Sequence, residues 1–138
     1  MRTVSTPGQT APQLEPFVHQ RTILLHTRKR DGSWVGTPVS IVVQADRAYF
    51  RTYARAGKPK RLRNFPDVRF CASTARGRPT GPVLTARATL LDGNEAVAAA
   101  RLLRRKYPVL HGVMVPLAHR LMRTSTLHYE LSDIRPDG

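Results

Sequence analysis

Residues 22–50 read TILLHTRKRDGSWVGTPVSIVVQADRAYF, and the patterning of this stretch decides the fold. Its opening, RTILLHTR (21–28), is dense in apolar and β-branched residues, which suit a half-buried pleated surface. KRDGS follows, with the Asp-Gly pair that favours a tight hairpin. WVGTPVSIVV (34–43) reads as the returning strand, QADR (44–47) as a second tight turn, and AYFRTY (48–53) as a third strand. Three strands joined by two short turns make a meander. Pro38 breaks the rule inside it, because proline has no N–H to give to a ladder. The stretch around it should therefore be an edge, a bulge or a site.

Outward from the meander the same vocabulary continues. ARAG (54–57) reads as loop, and KPKRLRN (58–64) as two helical turns with Pro59 near the first position, where its missing N–H is harmless. VRFCASTA (68–75) is a fourth strand with Val68, Phe70, Ala72 and Thr74 on one face. RGRPTG (76–81) is a turn and PVLTARATLL (82–91) a fifth strand. The long helix signal comes next. Asn94 is the candidate N-cap, Glu95 suits the positive end of the dipole, and Ala96, Val97, Ala100, Leu103 and Tyr107 recur at helical spacing. VLHGVMVPLAHRLMR (109–123) reads as a second, proline-broken helical segment. TSTLHYELSDI (124–134) closes the chain as a sixth strand alternating Leu127, Tyr129 and Leu131. The expected fold is mainly β: a six-stranded, partly open antiparallel barrel with a short inserted helix and a helical pair before the last strand. A sandwich is the alternative.

At 138 residues the chain suits one domain. Residues 1–16, rich in Thr, Pro and Gln, are expected to form a mobile arm ahead of a domain spanning 17–138. The arm lacks the apolar core of a signal peptide, and no later stretch approaches the ~20 apolar residues of a membrane span. Cys71 is the only cysteine, so no internal disulfide can form. A cytoplasmic protein is the default expectation.

The formal charge is +14, from 23 Lys and Arg against 9 Asp and Glu. Such a balance invites a nucleic-acid reading. Against it, the basic residues run along the whole chain, and Phe50, Tyr53, Phe65 and Phe70 form no interleaved platform for stacking bases. Catalytic signatures are missing as well. His26, His111, His119 and His128 lack metal-ligand spacing. There is no Gly-x-Ser-x-Gly elbow and no glycine-rich nucleotide loop. If the protein is an enzyme, the hard chemistry belongs to a cofactor.

The local charge is more telling than the total. Arg55, Lys58, Lys60, Arg61, Arg63 and Arg69 cluster in sequence with Asp67 the only acid among them. A helix starting near Lys58 turns unpaired N–H groups toward an anion. Lys58 and Arg61, three apart, are expected to share a face. Arg51 and Thr52 end the third strand close by. A guanidinium, an ammonium and a hydroxyl together suit a phosphate monoester.

Taken together, the Thr-rich first strand, basic Asp-Gly hairpin, G-T-P-V second strand, Arg-Thr strand end and A-G-K-x-x-R-L-R-x-x-P-x-V-R run resemble the split-barrel flavin-binding superfamily of pyridoxamine-phosphate-oxidase type. More narrowly, they are similar to its actinobacterial branch of oxidoreductases using the deazaflavin coenzyme F420. The similarity covers roughly residues 17–135. It implies a tricyclic ring along Thr37, Pro38, Val39 and Ser40, and a phosphate held by Arg51, Thr52 and Lys58, with Lys60 and Arg61 as further candidates. It implies a homodimer with the cofactor at the subunit interface, RGRPTGP (76–82) contributing from the second subunit, and a small conjugated substrate. Flavin mononucleotide is the alternative cofactor. The more anionic deazaflavin better matches the surplus of arginine. Tyr53, near the implied ring edge, is a candidate proton donor or a packing aromatic. A cofactor carrier without turnover and a nucleic-acid-binding barrel are the competing functions.

Overall fold

A computed structural model describes residues 10–53, 57–108 and 126–137. Six strands follow the alternating segments closely: β1 (Thr22–Arg28), β2 (Trp34–Gln44), β3 (Arg47–Tyr53), β4 (Asp67–Ala72), β5 (Leu84–Leu90) and β6 (Thr126–Pro136). All neighbours are antiparallel, and the order β1-β2-β3-β6-β5-β4 returns to β1. The expected partly open barrel is thus a closed ring. Two helices are described, α1 (Gly57–Asn64) and α2 (Gly93–Lys106).

Period-two alternation builds the interior. Ile23, Leu25, Ile41, Phe50, Phe70 and Leu131 are fully buried, each worth roughly 1.5–3 kcal/mol of burial. Phe50 stacks on Tyr129 with ring centroids 5.2 Å apart, and Phe17 tilts against Phe70 at 5.3 Å. Cys71 is buried and unpaired, its thiol pKa pushed up by burial. The first hairpin turns on Gly32 at φ +87°, while the Asp31 carboxylate accepts from Ser33 N–H at 2.9 Å and Ser33 Oγ–H at 2.6 Å. At the second turn Ala45 takes φ +56°, a left-handed conformation that strains alanine.

Three details depart from the sequence reading. Pro12–Phe17 form a 3-10 turn whose Leu14 and Phe17 are buried in the core, and Ala11 N–H donates to Ala45 O at 2.9 Å. The boundary drawn at residue 16 therefore falls inside a packed element; residues 1–9 lie outside the described residues. The long helix begins at Gly93 behind Asp92 rather than at Asn94, and Asp92 makes no side-chain cap bond. Its buried line is Ala99, Leu103 and Tyr107, while Val97 is 56% exposed. The helix meets the barrel along one ridge at spacings of four, too narrow a contact to cover the wider stripe expected. The second helical segment, 109–123, lies outside the described residues. Among the described residues no helix is long and apolar enough to cross a membrane.

Candidate functional site

β2 changes partners midway. Its Trp34–Ser40 half pairs with β1, and its ladder with β3 begins only at Ile41–Phe50. Beyond that point β3 pairs with β6 alone, through Tyr53–Thr126. The two strands splay, and a notch opens between residues 38–40 and 51–53. Pro38 sits on the half of β2 that has one ladder neighbour, where a missing N–H is tolerated.

The notch is a hollow of about 290 Å³. Pro38, Val39 and Ser40 line it from β2, and Arg51, Thr52 and Tyr53 from β3. Lys58 comes from the first turn of α1, which packs against β1 and β3, and Thr22 and Ala75 complete the rim. Among the described residues no Asp or Glu lines it. Thr52 and Lys58 are buried, at 3% and 9% exposure. Arg51 Nε is also buried and has no hydrogen-bond partner among the described residues; its guanidinium lies 5.2 Å from the Tyr53 ring centroid. Burial, and then the nearby Arg61 charge, push the Lys58 pKa down. Leaving a buried donor unpaired costs about 1–3 kcal/mol. An anion in the notch would remove that cost and stabilise both cations.

The remaining site residues named from sequence fall elsewhere. Thr37 pairs with Leu25 on the inward-facing parity of Val39 and Ile41, and does not line the hollow. Lys60 and Arg61 line a second hollow of about 300 Å³, across α1, with Arg28, Lys29 and Arg30. Arg61 is held there by Nε donating to Thr27 Oγ1 at 2.7 Å. One short helix thus divides the basic cluster between two faces, because a buried hydroxyl on β1 offers Arg61 an acceptor.

The turn after β4 reaches the same notch. Thr74 O accepts from Gly77 N–H at 2.9 Å, and Thr74 Oγ1 accepts from Arg78 N–H at 3.1 Å. Gly77 has φ +88°, and a Cβ there would lie 3.2 Å from Pro38 Cγ. The turn rests on the proline face of β2 within one chain. Sequence reading missed Thr22 and Ala75, which carry no chemical signature and enter through strand register and turn shape alone.

No protein-family model matches the sequence, and no curated protein matches it. Solved structures do. HutZ, the heme storage protein of Vibrio cholerae, is similar at 13% identity and a TM-score of 0.61, over 94% of this chain and 92% of that one. A proposed pyridoxamine 5'-phosphate oxidase from Listeria innocua is similar at 14% identity and a TM-score of 0.60, over 90% and 94%. An F420 reductase is similar at 14% identity and a TM-score of 0.54, over 93% and 97%. At such identities the likeness is one of fold. The chain has the split-barrel architecture of pyridoxamine-phosphate-oxidase-like proteins.

Proposed function

We propose that the protein is an oxidoreductase that binds coenzyme F420 in the notch between β2 and β3 and acts on a small conjugated substrate as a homodimer. The observation carrying this reading is the pairing, among the described residues, of a buried Arg51 Nε that has no hydrogen-bond partner with a buried Lys58 in a hollow that no acid lines. Those donors fit a phosphorylated group: Arg51 and Lys58 would hold its charge and Thr52 would add a hydroxyl. The Pro38–Ser40 edge would carry the ring, its backbone unclaimed by β3. When bound, the deazaflavin supplies hydride chemistry; the chain's part is to bind, orient and exclude water. Tyr53, whose ring centroid lies 5.2 Å from the Arg51 guanidinium, would steady that cation beside the notch and remains the candidate proton donor. Of the similar structures, one is named as an F420 reductase, which agrees with this reading.

The test is a calorimetric or fluorescence titration with F420 and with flavin mononucleotide, followed by turnover assays on quinones, tetrapyrroles and enones. Tighter binding of F420 with turnover supports the proposal. Tighter binding of flavin mononucleotide reassigns the cofactor, and binding without turnover makes the protein a carrier.

A further inference from the structure

The β1–β2 ladder ends at Thr22–Ser40, and both of those residues line the notch. One step further, where Arg21 would face Ile41, the strands are joined by side chains from the end of α2 and its cap. The Tyr107 hydroxyl lies 2.7 Å from Arg21 O, 2.9 Å from Ile41 O and 3.2 Å from Gln20 O, and it accepts from Ile41 N–H at 3.4 Å. Lys106 Nζ donates to Gln20 O at 2.6 Å, Ile41 O at 2.8 Å and Phe17 O at 3.2 Å. The ammonium also lies 5.3 Å from the Tyr107 ring centroid. Tyr107 is buried and packs with Leu103 against Val42. An ammonium has three protons, and here each has a carbonyl within reach.

We infer that Lys106 and Tyr107 are positioning residues that hold the Thr22–Ser40 end of the notch at binding width by bridging the entry to β1 and Ile41 of β2. The bracket links three elements at one point. The 3-10 turn arrives through Phe17 and the segment after it through Gln20, β2 through Ile41, and the end of α2 and its cap supply the two side chains. Neither residue lines the notch, so each acts on a ligand only through Ser40 and Thr22. This rests on the proposed cofactor site for its functional consequence, while the bracket itself stands on geometry alone.

The experiment has a ligand-free arm and a ligand arm. Amide hydrogen exchange is measured at Thr22, Ser40 and Ile41 in the wild-type chain, Tyr107→Phe, Lys106→Met and Lys106→Arg, with the Phe50 and Leu131 amides reporting global opening. Tyr107→Phe and Lys106→Met should speed exchange at the three site amides about tenfold once the global opening rate that the two core amides report in each variant is subtracted. Lys106→Arg, still a cation with several donors, should restore most of the protection. In the ligand arm, Lys106→Met should weaken F420 or flavin mononucleotide binding about tenfold, with recovery in Lys106→Arg. Unchanged site exchange in both variants overturns the bracket whatever the ligand does. Faster exchange with unchanged ligand affinity overturns its positioning role. A wild-type chain that binds neither cofactor defeats the proposed function, and the exchange data still decide whether the bracket exists.

Discussion

Two lysines, one on each side of the β2 partner switch, have opposite surroundings. Lys106 reaches three backbone carbonyls. Lys58 has no hydrogen-bond acceptor among the described residues and shares its hollow with an unpartnered Arg51 Nε. Burial lowers both pKa values, so desolvation alone does not distinguish them. The acceptors do. A buried cation with its hydrogen bonds filled is structural, whereas one left open, beside another of the same sign, is placed for an incoming anion.

The largest effect should come from emptying the filled site. Lys106→Ala removes a charged donor from three carbonyls near the core edge, two of them still within reach of the Tyr107 hydroxyl, together with the packed lysine stem, and should lower unfolding free energy by about 2–3 kcal/mol, read by urea denaturation. Lys58→Met should do the reverse to stability, leaving it unchanged or raising it by ~1 kcal/mol, because it removes a partly desolvated ammonium that has no acceptor among the described residues. The same substitution should weaken cofactor binding by about 10- to 100-fold, the loss of a charge-assisted hydrogen bond. If both variants lost stability equally, the contrast between the two lysines would collapse.

pH sharpens the comparison further. Burial brings Lys106 from its ordinary 10.5 down to about 8. Between those values the unfolded chain keeps a proton that the folded chain has released, so stability should rise with pH across that window. Lys58, also lowered, acts in the same direction. Above pH ~10 the sign reverses. Burial raises Tyr49, Tyr107 and Tyr129, so the folded chain then holds protons that the unfolded chain has lost. Thermal melts from pH 7 to 10 should show the rise in the wild-type chain and a smaller one in Lys106→Met. The smallest effect is a control distant in kind from both lysines. Ala45→Gly relieves a left-handed alanine and should stabilise by about 0.5–1 kcal/mol without altering ligand affinity.

Much of the barrel was legible because period-two alternation and turn chemistry are local. The hairpin at Asp31-Gly32, the awkward Pro38 and the Leu127–Tyr129–Leu131 face of β6 all declare themselves within a few residues. Lys58, Arg51, Thr52 and the Pro38–Ser40 edge do meet at one hollow. What remained hidden depends on distant partners. Leu14 looked like part of a polar arm, and only the core it enters beside Phe17 gives it a place. Arg61 left the Lys58 face for Thr27, thirty-four residues away. Lys106 carries no signal of its own in the sequence, and its role follows from Gln20 and Ile41 arriving beside it.

The most direct test is an isothermal titration of F420 into the wild-type chain, Arg51→Ala and Lys58→Met, with each fold checked by near-ultraviolet circular dichroism. Saturable binding by the wild-type chain, weakened at least about tenfold in both variants, is the predicted result. Folded wild-type protein that takes up neither F420 nor flavin mononucleotide at millimolar ligand, or variants that bind as tightly as wild type, would contradict a phosphate grip in the notch.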